Sequence, residues 1–88
     1  MKLTVDISMY PLKTDYIEPI DWFIARLDAY PEIKRVTNAM STQVSGDYDQ
    51  VMAMLATEMK AGYEKWGRAV FVCKFIGREL DLDYIHQV

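Results

Sequence analysis

One cysteine and one histidine in 88 residues remove most nucleophilic and metal-centred chemistry at the outset. Cys73 has no partner for an internal disulfide. A His/Cys metal cluster needs several ligands at fixed spacing, and this chain has one residue of each type. His86 stands close to the C-terminus and reads as a surface residue. Glycine is scarce, at four residues, and Gly46 stands alone, so no glycine-rich phosphate loop exists. The net charge is −3 and no basic run or stripe interrupts it, which excludes the electrostatic footprint of a nucleic-acid binder. No apolar stretch approaches the roughly 20 residues of a membrane helix. Asp6 breaks the apolar core that a signal peptide would need near Met1. The expectation is a soluble, cytoplasmic protein with neither nucleic acid nor membrane as partner.

What the chain has in quantity is apolar surface. Hydrophobic residues make up 51%, high for one small domain spanning residues 1–88. Residues Lys2 to Tyr10 alternate: Leu3, Val5, Ile7 and Met9 share one face, and Thr4, Asp6, Ser8 and Tyr10 the other. That period of two predicts a strand, ended by Pro11. Ile17, Ile20, Ile24 and Leu27, with Phe23 beside them, predict an amphipathic helix capped by Thr14 or Asp15 and stopped at Tyr30-Pro31. Ile33 to Asn38 and Ser41 to Ser45 read as two short strands, joined near Ala39-Met40 by a tight turn or a bulge. Asp47 caps a helix from about Tyr48 to Tyr63, with Tyr48, Val51, Met52, Leu55, Met59 and Tyr63 as its stripe and Gly62 and Gly67 bracketing its end. Arg68 to Ile76 is a last strand, apolar on both faces, as in a strand buried on both sides. Cys73 lies within it as a structural thiol, and Lys74 points to the opposite face.

The order strand, helix, strand, strand, helix, strand is that of the ferredoxin-like plait, an α+β fold with two helices on one face of a four-stranded antiparallel sheet. The other sheet face is then open. With an apolar last strand, it predicts packing of sheet against sheet in a homodimer or homotetramer. The tail, residues 77–88, reads as an extra strand or an interface segment.

Neither helices nor strands carry an acid–base constellation, so catalysis is not expected. Glu58 and Glu64 read as solvated charge. Met9, Met40, Met52, Met54 and Met59 read as flexible apolar filling, and Trp22 and Trp66 as packing or interface residues. Asp6 is unusual, because aspartate is disfavoured in mid-strand. It either pairs with Lys74 or Arg35 across the sheet or serves a ligand. Strands one and three are neighbours in this plait, which draws Ser8 and Tyr10 towards Asn38, Ser41 and Thr42. Hydroxyls, an aromatic ring and a carboxylate suit a flat polar heterocycle or a cation.

Two segments also carry a family resemblance. Ile7-Ser8-Met9-Tyr10-Pro11-Leu12 resembles the first-strand motif of the YkoF-like, thiamine-binding proteins. Met40-Ser41-Thr42, followed by Val44, Gly46-Asp47 and Val51, resembles their middle motif, and the last strand with Lys74 their C-terminal segment. The resemblance spans roughly residues 3 to 78. It implies assembly through the sheets and binding of thiamine or its hydroxymethylpyrimidine half as a ligand, with no catalytic cofactor. It assigns Ser8, Tyr10, Met40, Ser41 and Thr42 to the site; the strand-face argument adds Asp6, Asn38 and Lys74. The rival expectations are a small dimeric α+β-barrel enzyme, an isomerase or cofactor-free oxygenase, and an interaction module without a ligand.

Overall fold

Alternation makes Lys2–Pro11 a strand, β1, with Leu3, Val5, Ile7 and Met9 buried and Tyr10 exposed. The computed structural model describes residues 1–87. Helix α1 (Ile17–Leu27), strands β2 (Lys34–Thr37) and β3 (Thr42–Asp47), helix α2 (Tyr48–Trp66) and strand β4 (Ala69–Ile76) follow. The sheet order is β2-β3-β1-β4 and every pairing is antiparallel. This is the expected α+β, ferredoxin-like plait.

The helices cover one sheet face. Val5, Ile7 and Val44 meet Phe23 and Leu27 of α1 and Val51, Met54 and Leu55 of α2 in a single core. Helix α1 is shorter than the periodicity predicts and starts later. Tyr16 precedes it and makes no side-chain capping bond, so neither Thr14 nor Asp15 is its cap. It ends at Leu27, where the chain tightens: the amides of Asp28, Ala29 and Tyr30 each bond the carbonyl three residues back. Asp47 caps α2 as expected, accepting from the Gln50 amide at 3.2 Å.

The stripe of α2 differs from the expectation. Its buried residues are Val51, Met54, Leu55, Glu58 and Gly62, whereas Tyr48, Met52 and Tyr63 are exposed. Gly62 does not end the helix. It sits inside it, where a Cβ would lie 3.4 Å from the Phe71 ring. The helix ends at Gly67, whose φ of 80° is open to glycine and strained for other residues.

Glu58 is a second correction, because its carboxylate is buried rather than solvated. It accepts from Arg26 Nε at 2.7 Å and from Tyr30 Oη at 2.6 Å, tying α2 to α1. The bond to Glu58, with burial, raises the Tyr30 phenol above its ordinary range. Trp22 and Trp66 do pack, edge to face at 6.2 Å.

Strand β4 is an edge strand, and within the chain it is not buried on both sides. Ala69, Phe71 and Cys73 turn partly inward, while Val70, Val72 and Ile76 stand exposed on the open face. Burial lifts the Cys73 thiol above its ordinary range, with the nearby Asp6 charge adding to the effect.

The described part of the tail, residues 77–87, forms no extra strand. It crosses the open face of its own sheet. Thr4 of β1 donates its hydroxyl to the Arg78 carbonyl, accepts from the Leu80 amide and contacts Ser45 Oγ of β3. Farther on, Asp83 takes the Lys34 ammonium of β2 at 2.8 Å, which raises the Lys34 pKa.

Candidate functional site

The site follows from a mismatch of strand lengths. Strand β1 pairs with β4 as far as Pro11↔Ala69, but with β3 only as far as Ile7↔Thr42. Residues Ser8 to Pro11 therefore overhang β3. The Leu12 amide bonds Arg68 on the β4 side. Backbone groups alternate sides along a strand, so the N–H and C=O of Met9 face the β3 side, where no ladder partner stands. A cavity of about 360 Å³ fills this gap, within the size range of small-molecule pockets, roughly 300–1,000 Å³.

The β2–β3 hairpin forms one wall. Its connection is a turn, closed by the Asn38 amide on the Ser41 carbonyl at 3.0 Å. The Asn38 side chain braces it: Oδ1 accepts from the amides of Met40 and Ser41, at 3.0 and 3.1 Å. At the strand ends Thr42 and Thr37 join hydroxyls at 3.0 Å. Helix α1 forms the opposite wall through Ile20, Phe23 and Ile24, with Tyr16 just before it, and Ile7 and Met9 complete the apolar lining.

Of the eight residues named from sequence, Ser8, Tyr10, Asn38, Met40, Ser41 and Thr42 line this cavity, and Asp6 and Lys74 do not. Tyr10 and Met40 are exposed at its mouth. Thr42 is buried. Asp6 touches the lining indirectly, its Oδ2 accepting from Ser41 Oγ at 2.8 Å and from Gln43 Nε2 at 3.1 Å. The expected pairing of Asp6 with Lys74 or Arg35 is not what forms. Lys74 stands opposite Asp6 in the ladder, but the carboxylate turns to the β3 side, and Arg35 is taken by Asp28. Two neutral donors, Gln43 on β3 and Ser41 just before it, satisfy Asp6 without holding a long lysine in place.

The sequence reading missed Lys13, Tyr16 and Thr37, which also line the cavity. Lys13 follows the first motif directly, and extending that segment past Pro11-Leu12 would have reached it. Gln43 was missed because its role depends on register: it stands opposite Asp6. Among the described residues, the lining includes no histidine, cysteine or carboxylate, and no group of His, Cys, Asp and Glu is arranged to hold a metal ion. None of the described helices is long and apolar enough to cross a membrane.

No family model and no curated protein matches the chain. Solved structures do. A Streptococcus pneumoniae protein is 26% identical, covers 94% of this chain and of its own, and superposes with a TM-score of 0.81. A Thermotoga maritima protein, provisionally described as one of thiamine biosynthesis or salvage, is 22% identical over 85% of this chain and 82% of its own, with a TM-score of 0.77. A domain of unknown function from Bacillus cereus is 17% identical over 94% of this chain and 85% of its own, with a TM-score of 0.77. These likenesses establish the fold.

Proposed function

We propose that this chain is a non-catalytic binding protein for thiamine or its hydroxymethylpyrimidine moiety, acting as a homo-oligomer packed through its sheets. The observation that carries the reading is the cavity beside the β1 overhang. Apolar walls there meet Ser8, Asn38, Ser41 and Thr42 from two separate segments. A flat heterocycle buries its faces against Phe23, Ile20 and Met9 and finds hydrogen-bonding groups at its edges. The free N–H and C=O of Met9 offer a donor beside an acceptor, the complement of a ring nitrogen flanked by an amine. The provisional role given to the Thermotoga maritima protein points the same way.

Assembly rests on Val70, Val72 and Ile76, 45%, 52% and 44% exposed on one strand of the open face. Apolar side chains clustered on a sheet face favour a partner surface of the same kind.

Titration calorimetry with thiamine and with hydroxymethylpyrimidine tests the binding reading. Ser8 is the informative position, because its hydroxyl has no hydrogen-bond partner among the described residues and its loss is expected to leave the fold intact. Ser8→Ala is expected to weaken binding about fivefold to tenfold, one hydrogen bond's worth, with an unchanged melting temperature. Absence of binding to either compound sinks the reading. Binding that ignores Ser8→Ala removes the site from this cavity.

A further inference from the structure

We infer that the ligand enters this cavity bearing a phosphate monoester, and that Lys13 receives it. The inference rests on the binding reading above and names the chemical form the cavity selects.

The chain carries a net charge of −3, yet the only formally charged side chain lining the cavity is a cation. Lys13 is not consumed in an ion pair among the described residues. It is held instead by an aromatic face, with its Nζ 4.9 Å from the centroid of the Trp66 ring. That contact restrains a long side chain without neutralising it, so the ammonium keeps its capacity for an anion.

The lining residues of the β2–β3 hairpin are uncharged. The hairpin wall presents Thr37, Asn38, Ser41 and Thr42, and Asp6 stays outside the lining with its charge turned to Ser41 and Gln43. The lining thus divides by element: uncharged hydrogen-bonding groups from the β2–β3 hairpin, apolar walls from β1 and α1, and one lysine from the segment that follows β1. A bare cationic ligand would meet Lys13 unfavourably. A heterocycle with a phosphate at its far end places ring and charge where each is matched. Lysine is a common point-charge partner for phosphate.

Calorimetry compares hydroxymethylpyrimidine with its phosphate monoester, and thiamine with thiamine monophosphate, on the unaltered chain, Lys13→Met and Lys13→Arg. The phosphate esters are expected to bind at least about tenfold tighter than the parent alcohols, with a preference that falls at high salt. Lys13→Met abolishes the preference, and Lys13→Arg keeps most of it. Lys13 is exposed, so both variants are expected to fold, which melting curves check. Alcohols that bind as tightly as their esters overturn this inference and leave the binding reading standing. So does a preference that survives Lys13→Met, or a Lys13→Met loss shared equally by alcohol and ester. No binding by any of the four compounds overturns both.

Discussion

Removing the cation from the Arg26–Glu58–Tyr30 cluster should cost more than removing the anion, although the anion makes more bonds. Glu58 is 4% exposed at its side chain and Arg26 is 46% exposed. Arg26→Met leaves a buried carboxylate with Tyr30 as its one remaining partner. Breaking a buried pair in this way costs about 3–5 kcal/mol, and water reaching the open side of Arg26 reduces this to about 2–4 kcal/mol. Glu58→Met loses two charge-assisted bonds, gross about 1.5–3 kcal/mol each, but also removes a carboxylate whose desolvation costs several kcal/mol. The net change is expected within about 1 kcal/mol, since Arg26 returns to solvent. The double variant should recover most of the Arg26→Met loss, short of the Arg26–Trp22 cation–π contact at 5.2 Å, about 0.5–1 kcal/mol. Urea unfolding followed by tryptophan fluorescence measures all three. In thermal melts each kcal/mol appears as roughly 4–8 °C for a domain of this size. Glu58→Met costing as much as Arg26→Met, or a double variant no better than Arg26→Met, refutes the reasoning.

Two glycines should respond with opposite signs. Gly62→Ala places a methyl in ordinary contact with Phe71 and is expected to stabilise by about 0.5–1 kcal/mol, whereas Gly67→Ala at φ 80° is expected to destabilise by about 1–3 kcal/mol, both by urea midpoint. Cys73 should alkylate more slowly at pH 8.5 than an unstructured cysteine and at the reference rate in denaturant; an equal rate in the folded chain contradicts its burial. Because its folded pKa is raised, its share of stability holds below the ordinary thiol range and declines as pH rises through the folded value, a slope that Cys73→Ala removes. Truncation after Gly77 removes the two backbone bonds to Thr4 and the Asp83–Lys34 pair. Expected results are a loss of about 1–3 kcal/mol by urea midpoint and faster hydrogen exchange at the sheet end beneath the tail.

The plait was legible because its elements announce themselves by period: β1 alternates without error over Leu3 to Met9, and Asp47 marks the start of α2. Helix faces were less legible. Met52 and Met54 are the same residue type two positions apart, and only the angle at which α2 meets the sheet decides which is buried. Glu58 carries no sequence mark of burial, because its partners Arg26 and Tyr30 lie 32 and 28 residues away, in α1 and just beyond its end. Of the cavity, the polar residues were legible as two motifs at the ends of neighbouring strands. Its apolar wall and Lys13 were not, since they depend on where α1 docks. Asp6 was recognised as needing a partner, but register rather than charge chose it.

The overhang of β1 past Thr42 gives the cavity a design variable unlike core packing. Its depth is counted in residues, by how far the β2–β3 hairpin stops short of Pro11. Lengthening both arms of that hairpin by two residues would add rungs across from Ser8 and Met9 and fill the space with main chain. Shortening them would open it towards Val5. Neither change touches the residues packed beneath the helices. A lineage of such chains can therefore retune the size of what it holds by small insertions and deletions at one turn, with folding stability left nearly untouched.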